Sequence, residues 1–235
     1  MRILVLATSL LALFIVACNK QSANCPATVQ QSFDLTGFSK IYAGGSFIIN
    51  IAQANNFSIT ANGCAQDIND LDLSITNGNI LHLAYKSYRQ HRSTVTFTIT
   101  LPVLAAINLS GNANSTITGF QGQNTVIRYI LSGNGSCSSD GAGINEQIEL
   151  SGNATLTLGG ATENLYGNLS GNARLNGYNL AATEVDISSS GQAKAYVVPL
   201  QNLYADASGE SIIYYKGNPV VTYFQTSGNG KIIQQ

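Results

Sequence analysis

Leu150-Ser151-Gly152-Asn153-Ala154 is followed nineteen residues later by Leu169-Ser170-Gly171-Asn172-Ala173. Ser-Gly-Asn also stands at Ser110-Gly111-Asn112, Ser132-Gly133-Asn134 and Ser227-Gly228-Asn229, with relaxed copies at Ser190-Gly191-Gln192 and Ser208-Gly209-Glu210. Successive serines lie 22, 19, 19, 20, 18 and 19 residues apart. A near-constant period of this length marks a repeat architecture.

The residues around the motif fall into columns. One position before the Ser are Leu109, Leu131, Leu150, Leu169, Ser189, Ala207 and Thr226; three before are Ile107, Tyr129, Ile148, Gly167, Ile187, Ala205 and Phe224. The positions between are mostly polar, as in Asn108, Glu149, Asn168, Ser188, Asp206 and Gln225. Alternation with period two is a strand with one buried face. After the bend a small residue follows in every copy, and two further on a second inward column holds Ser115, Cys137, Leu156, Leu175, Ala195, Ile213 and Ile232. Cys137 therefore reads as a buried free thiol.

Each repeat is strand, tight bend, strand and turn, with room for a third short strand. A unit this small buries its apolar face only by stacking on its neighbours. Strands of successive copies then pair in parallel, ~4.8 Å apart. The reading is an all-β parallel β-helix of about seven 19-residue coils over residues 105–235, right-handed by the usual crossover rule. A propeller blade needs about twice this period, and leucine-rich repeats need more Leu per copy.

At the bend, Gly supplies a positive φ. Stacked amides of Asn112, Asn134, Asn153, Asn172 and Asn229, with Gln192 and Glu210, form a structural ladder along the coil axis. Residues 33–104 lack the motif but are strand-like, as in Phe47-Ile48-Ile49-Asn50-Ile51 and Val95-Thr96-Phe97-Thr98-Ile99. Asn77-Gly78-Asn79 between Leu71-Asp72-Leu73-Ser74-Ile75 and Ile80-Leu81-His82-Leu83 is a hairpin signal. This N-terminal β-rich region is packed on the solenoid or continuous with it. Its basic group Lys86, Arg89, His91 and Arg92 reads as a solvated loop.

Residues 1–17 read as a signal peptide, with a basic start and an apolar run too short to span a bilayer. The run ends Ile15-Val16-Ala17-Cys18, which resembles a bacterial lipobox and implies cleavage before Cys18 and its acylation. Residues 18–32 then form a lipidated Cys and polar tether, which makes the membrane a partner through the anchor. The expected location is the cell envelope, with Asn19 favouring the outer membrane by analogy. Of the remaining cysteines, Cys25 and Cys64 are the candidate disulfide, because both precede the repeats in turn-like sequence. The alternative is that they are merely small apolar residues.

Of 235 residues, 10% are charged, against roughly 25% in an ordinary domain, and the net charge is −1. A chain with 11 basic residues lacks the stripe that nucleic acid requires. Its hydrophobic content of 44% excludes a disordered tail. No His/Cys cluster has metal-ligand spacing, and no cofactor is implied.

From Phe33 onward the chain resembles the bacterial auto-transporter adhesin head GIN domain family. The match is carried by Phe38-Ser39-Lys40-Ile41, Phe47-Ile48-Ile49-Asn50-Ile51, Thr98-Ile99-Thr100-Leu101-Pro102 and Leu109-Ser110-Gly111-Asn112-Ala113. The resemblance implies a secreted or lipid-anchored β-solenoid adhesin and supplies no catalytic residues.

Three functions compete. Binding of a glycan, or of an envelope or host surface protein, rests on Tyr166, Tyr204 and Tyr223 before the bend and Tyr196 and Tyr214 after it, aromatic rows that suit sugar stacking. A polysaccharide-processing enzyme would need paired carboxylates, for which Glu184, Asp186 and Asp206 are the candidates, without a histidine in the solenoid. A self-associating structural envelope protein would use the solenoid end at residues 227–235 to form a homo-oligomer. The expectation is a non-catalytic envelope lipoprotein that binds.

Overall fold

The computed structural model describes residues 25–76, 78–122, 126–141 and 143–235. The signal peptide and Cys18 lie outside the described residues. The strands are β1 (Thr28–Ser32), β2 (Lys40–Gly45), β3 (Phe47–Gln53), β4 (Ser58–Cys64), β5 (Leu71–Thr76), β6 (Ile80–Tyr85), β7 (Val95–Leu101), β8 (Ala106–Gly111) and β9 (Asn114–Thr118). They continue with β10 (Val126–Leu131), β11 (Ser136–Ser139), β12 (Asn145–Leu150), β13 (Thr155–Leu169), β14 (Arg174–Ser189), β15 (Lys194–Ala207), β16 (Ile212–Tyr215), β17 (Val221–Thr226) and β18 (Lys231–Gln234). One short helix, α1 (Ala65–Asn69), interrupts them.

The strands form a β-solenoid. A first ladder, made of the segments before each bend, runs in parallel through β6, β2, β8, β10, β12, β13, β14, β15 and β17. A second ladder, made of the segments after each bend, runs through β7, β3, β9, β11, β13, β14, β15, β16 and β18. Strands β13, β14 and β15 are long enough to serve both, and between the two ladders they form a short third side, where 159–162 pairs with 179–182. The seven Ser-Gly-Asn corners delimit about six turns.

The alternating columns fill the interior. Leu109, Leu131, Leu150 and Leu169 are buried, as are Ile107, Tyr129, Ile148 and Ile187. Volume is exchanged between rungs: a Cβ on Gly167 would stand 2.7 Å from Ile187 Cδ1, so the isoleucine occupies the space the glycine leaves. Cys137 is a buried free thiol, pushed up to about 12 by its burial.

The N-terminal region is continuous with the repeats, and its order is permuted. β2 and β3 form a coil directly against β8 and β9, with Gly44 opposite Ser110 and Gly45 opposite Gly111. Asn112 donates its backbone N–H to Gly45 O at 2.9 Å, just as Asn134 donates to Gly111 O at 2.8 Å. Gly44-Gly45-Ser46 is therefore a further corner that has lost its Ser and Asn. The later β6 and β7 lie outside this coil, and antiparallel strands close the end: β5 on β6, β4 on β7, and β1 on β4.

The basic loop is held to this cap rather than solvated. Arg89 and Arg92 pair with the buried Asp67, and Arg92 also with Asp70. Ser93 donates its N–H to Asp67 Oδ2 at 3.0 Å, and the Arg92 guanidinium lies 3.8 Å from the Tyr85 ring centroid. Pairing with Arg92 lowers the Asp70 pKa. A lone buried Asp67 would be costly, so two loop arginines turn back to it.

Candidate functional site

The corner is the most regular feature of the surface. In each copy the Gly adopts φ near +70°, and the following residue donates its N–H to the Gly carbonyl one rung back, as from Asn153 to Gly133 O at 2.7 Å. The Asn side chains repeat the pattern. Asn134 Nδ2 donates to Asn112 Oδ1 at 3.0 Å, Asn153 to Asn134 at 2.9 Å, and Asn172 to Asn153 at 3.0 Å. In the relaxed copies Gln192 donates to Glu210 at 2.9 Å. Among the described residues no side-chain bond joins Asn172 to Gln192 or Glu210 to Asn229, because the longer side chains break the repeat geometry.

Beside this ridge, on the first-ladder side, runs a trough of about 450 Å³. Ser132, Ser151, Ser170, Ser190 and Ser208 form one wall, and Ile130, Glu149, Asn168, Ser188 and Asp206 the other. The peptide backbone between them makes the floor, because Leu131, Leu150 and Leu169 point into the core. Five rungs at the strand spacing give the trough a length of ~19 Å. The Ser190 and Ser208 hydroxyls reach back to the carbonyls of Leu169 and Ser189 at 3.4 Å. Those of Ser132, Ser151 and Ser170 have no side-chain partner among the described residues. A regular row of hydroxyls facing an amide, a further hydroxyl and two carboxylates is suited to a ligand with many hydroxyls of its own.

The tyrosines do not form one surface. Tyr166, Tyr204 and Tyr223 belong to the first ladder, in register with one another through Asp186, on the face that carries the trough. Tyr196 and Tyr214 belong to the second ladder and stack on each other at 5.0 Å and 9°. Their position after the corner, rather than before it, is the signal in the sequence that separates the two sets. The trough serines carry a signal too: a hydroxyl at every repeat, two positions from an outward polar column.

Glu184 and Asp186 stand two apart on β14, with Asp206 one rung on, and Glu149 lies apart from them. Glu149 and Asp206 are three rungs apart, ~14 Å by the strand spacing. Glu184 accepts from the Tyr166 hydroxyl at 3.4 Å and from Asn202 Nδ2 at 3.1 Å. Burial, and then the neighbouring Glu184, raise the Asp186 pKa. Glu146 points inward and is fully buried, accepting from Gly143 N–H at 2.6 Å; burial pushes its pKa up to about 8. A larger concavity of about 810 Å³ lies by the basic loop, but its arginines are already engaged by Asp67 and Asp70. Among the described residues no group of His, Cys, Asp and Glu could hold a metal ion.

Cys25 and Cys64 are both unbonded, one exposed and the other buried. They are neighbours nonetheless, since the β1–β4 pairing places Thr28 opposite Cys64, and the Cys64 thiol beside Cys25 raises its pKa.

The family described as "Putative auto-transporter adhesin, head GIN domain" matches residues 37–219. No curated protein matches the chain. A "putative adhesin" from Bacteroides fragilis has a TM-score of 0.79 at 21% identity, covering 89% of this chain and 98% of that one. A "putative adhesin" from Parabacteroides merdae has a TM-score of 0.69 at 19% identity, covering 89% and 97%. A "putative lipid binding protein" from Parabacteroides distasonis has a TM-score of 0.70 at 14% identity, again covering 89% and 97%. At these identities the likeness to the solved structures is one of fold.

Proposed function

The chain belongs to the auto-transporter adhesin head GIN domain family, and from there we propose that it is a non-catalytic envelope adhesin that holds a neutral polysaccharide along the serine trough. The observation that carries this reading is the row of hydroxyls at Ser132, Ser151 and Ser170, repeated at strand spacing and free of side-chain partners. A sugar chain laid along the solenoid axis would offer hydroxyls at a comparable repeat, and Tyr166 and Tyr204 on the same face would take its apolar ring faces. Hydrolysis of a glycoside by two carboxylates needs them ~5–9.5 Å apart across the bond. Glu184 and Asp186, two apart on one strand, stand ~7 Å from each other, within that range, but Glu184 spends its oxygens on Tyr166 and Asn202.

The test is binding of a neutral glycan panel by wild type and by the double variant Ser151→Ala/Ser170→Ala. Two neutral hydrogen bonds at ~1 kcal/mol each predict about a thirtyfold loss in the variant. Equal binding by the two proteins, or no glycan bound by either, would sink the reading. Family membership supports a cell-envelope or surface location. Attachment through acylated Cys18 refines it, and labelled palmitate should enter wild type but not Cys18→Ser.

A further inference from the structure

The two ladders differ in charge even where the same strands build them. β14 and β15 begin with Arg174 and Lys194 on the second ladder and end with Glu184, Asp186 and Asp206 on the first. Register continues the basic row: Arg174 lies opposite Lys194, Lys194 opposite Ile212, and Ile212 opposite Lys231. Lys216 follows directly after β16. No Asp or Glu stands in the second-ladder segments of these rungs. Ion pairs among the described residues involve only Arg89 and Arg92, so none of these four cations is held in one.

A groove of about 430 Å³ follows this side of the corner, lined by Arg174, Lys194, Asn172, Gln192, Ile212 and one carboxylate, Glu210, which accepts from Gln192. Next to it stand Tyr178, Tyr196 and Tyr214. Arg174 Nη1 donates to the Tyr196 hydroxyl at 2.9 Å, and Lys216 Nζ sits 4.3 Å from the Tyr178 ring centroid. One guanidinium has five N–H donors, so Arg174 keeps most of them for a ligand.

We propose that the second ladder is a binding face for an acidic polysaccharide, whose carboxylate-bearing sugars run along the solenoid axis over Arg174, Lys194 and Lys231. The cations recur one and two rungs apart, ~5 and ~10 Å, the spacing of a linear polyanion's charges rather than of a single compact anion. The tyrosines favour sugars over nucleobases. Tyr196 and Tyr214 close their ring faces on each other, leaving hydroxyl-bearing edges outward and no open platform for base stacking. A membrane surface would call for a protruding apolar face, whereas the flat ladder offers half-buried Ile212 and Ile233 between cations.

The experiment is calorimetric titration of the full chain with polygalacturonate and with its methyl ester, which removes the charge and keeps the sugar. The acid form should bind in low salt and weaken as salt rises, and the ester should bind at least tenfold more weakly. Arg174→Gln/Lys194→Gln should lose at least about tenfold in affinity for the acid form, since each charge-assisted bond contributes ~1.5–3 kcal/mol. Ser151→Ala/Ser170→Ala should bind polygalacturonate like wild type, which separates this face from the trough. Equal binding of acid and ester, or unchanged affinity in the glutamine variant, overturns the proposal. So does tighter binding of a single-stranded oligonucleotide or of phosphatidylglycerol vesicles. Should Arg174→Gln disturb folding, Lys194→Gln/Lys231→Gln gives the same readout.

Discussion

Glu146 is a carboxyl group in a column whose neighbouring rungs hold the buried Ile127, Leu165, Val185 and Leu203. Its pKa in the fold is about 8, against an ordinary 4.5, because burial penalises the charge. The fold therefore holds this proton more tightly than the unfolded chain does. The group's contribution to stability is fully present below pH 4.5 and is lost as pH rises to about 8, at up to ~1.4 kcal/mol per pH unit within that window. Tyr129 and Cys137 face the same space, and burial raises both, so they stay neutral throughout. Glu146→Gln keeps the shape and the acceptor for Gly143 N–H but removes the proton. Urea midpoints measured from pH 5 to 8 should fall with pH in wild type and lose that slope in the variant; parallel slopes would refute the assignment. Continued two residues back, the period-two alternation of Ile148 and Leu150 reaches Glu146, but it does not give the protonation state that makes an inward carboxyl tolerable.

At the scale of the element, the corner depends on glycine twice over. Gly152 has φ +70°, and a Cβ there would stand 2.8 Å from Gly133 O. Gly37 has φ +80° with nothing within 4 Å of its Cβ position. Gly37→Ala should cost ~1 kcal/mol for the left-handed backbone alone, and Gly152→Ala ~3 kcal/mol, because the stacked carbonyl must also move. Equal losses in thermal denaturation would show that stacking between corners is unimportant. The repeated corners and inward columns were legible because alternation and period survive in residue types. The corner at Gly44-Gly45 was not, since without its Ser and Asn it is only two glycines. The trough was legible as polar columns but not as a hollow, because concavity arises only when two outward rows meet across a bend. Arg89 and Arg92 misled for a related reason: their partners Asp67 and Asp70 are about twenty residues away and give no local pattern.

At the scale of the whole molecule, the ends are unlike. At the antiparallel end the outermost β1 is exposed along its length but mostly polar, whereas β17 is exposed on both faces and apolar, with Phe224 at 42% and Val221 at 47% although Phe224 occupies an inward column. One polar edge and one apolar edge allow apolar edge to meet apolar edge, a symmetric pairing that closes as a dimer instead of growing into a fibre. Light scattering should show mass rising toward a dimer with concentration, and Phe224→Lys should hold the protein monomeric. A monomer at high concentration in wild type would rule this out. The composition of the other end was not legible in the sequence, since strand pairing between β2 and β8 is written in no local motif.

The permuted order of the first rungs bears on how the chain comes together in time. During synthesis β2 and β3 emerge before their neighbours, yet in the finished protein they are flanked by β6 and β7 on one side and β8 and β9 on the other. The earliest coil is thus a seed with two growth fronts. One front is terminated early by the hairpin of β5 and β6; the other extends rung by rung through the repeats. A cap completed early would give assembly a single direction, each Ser-Gly-Asn coil being laid on a template whose far side already carries its antiparallel strands.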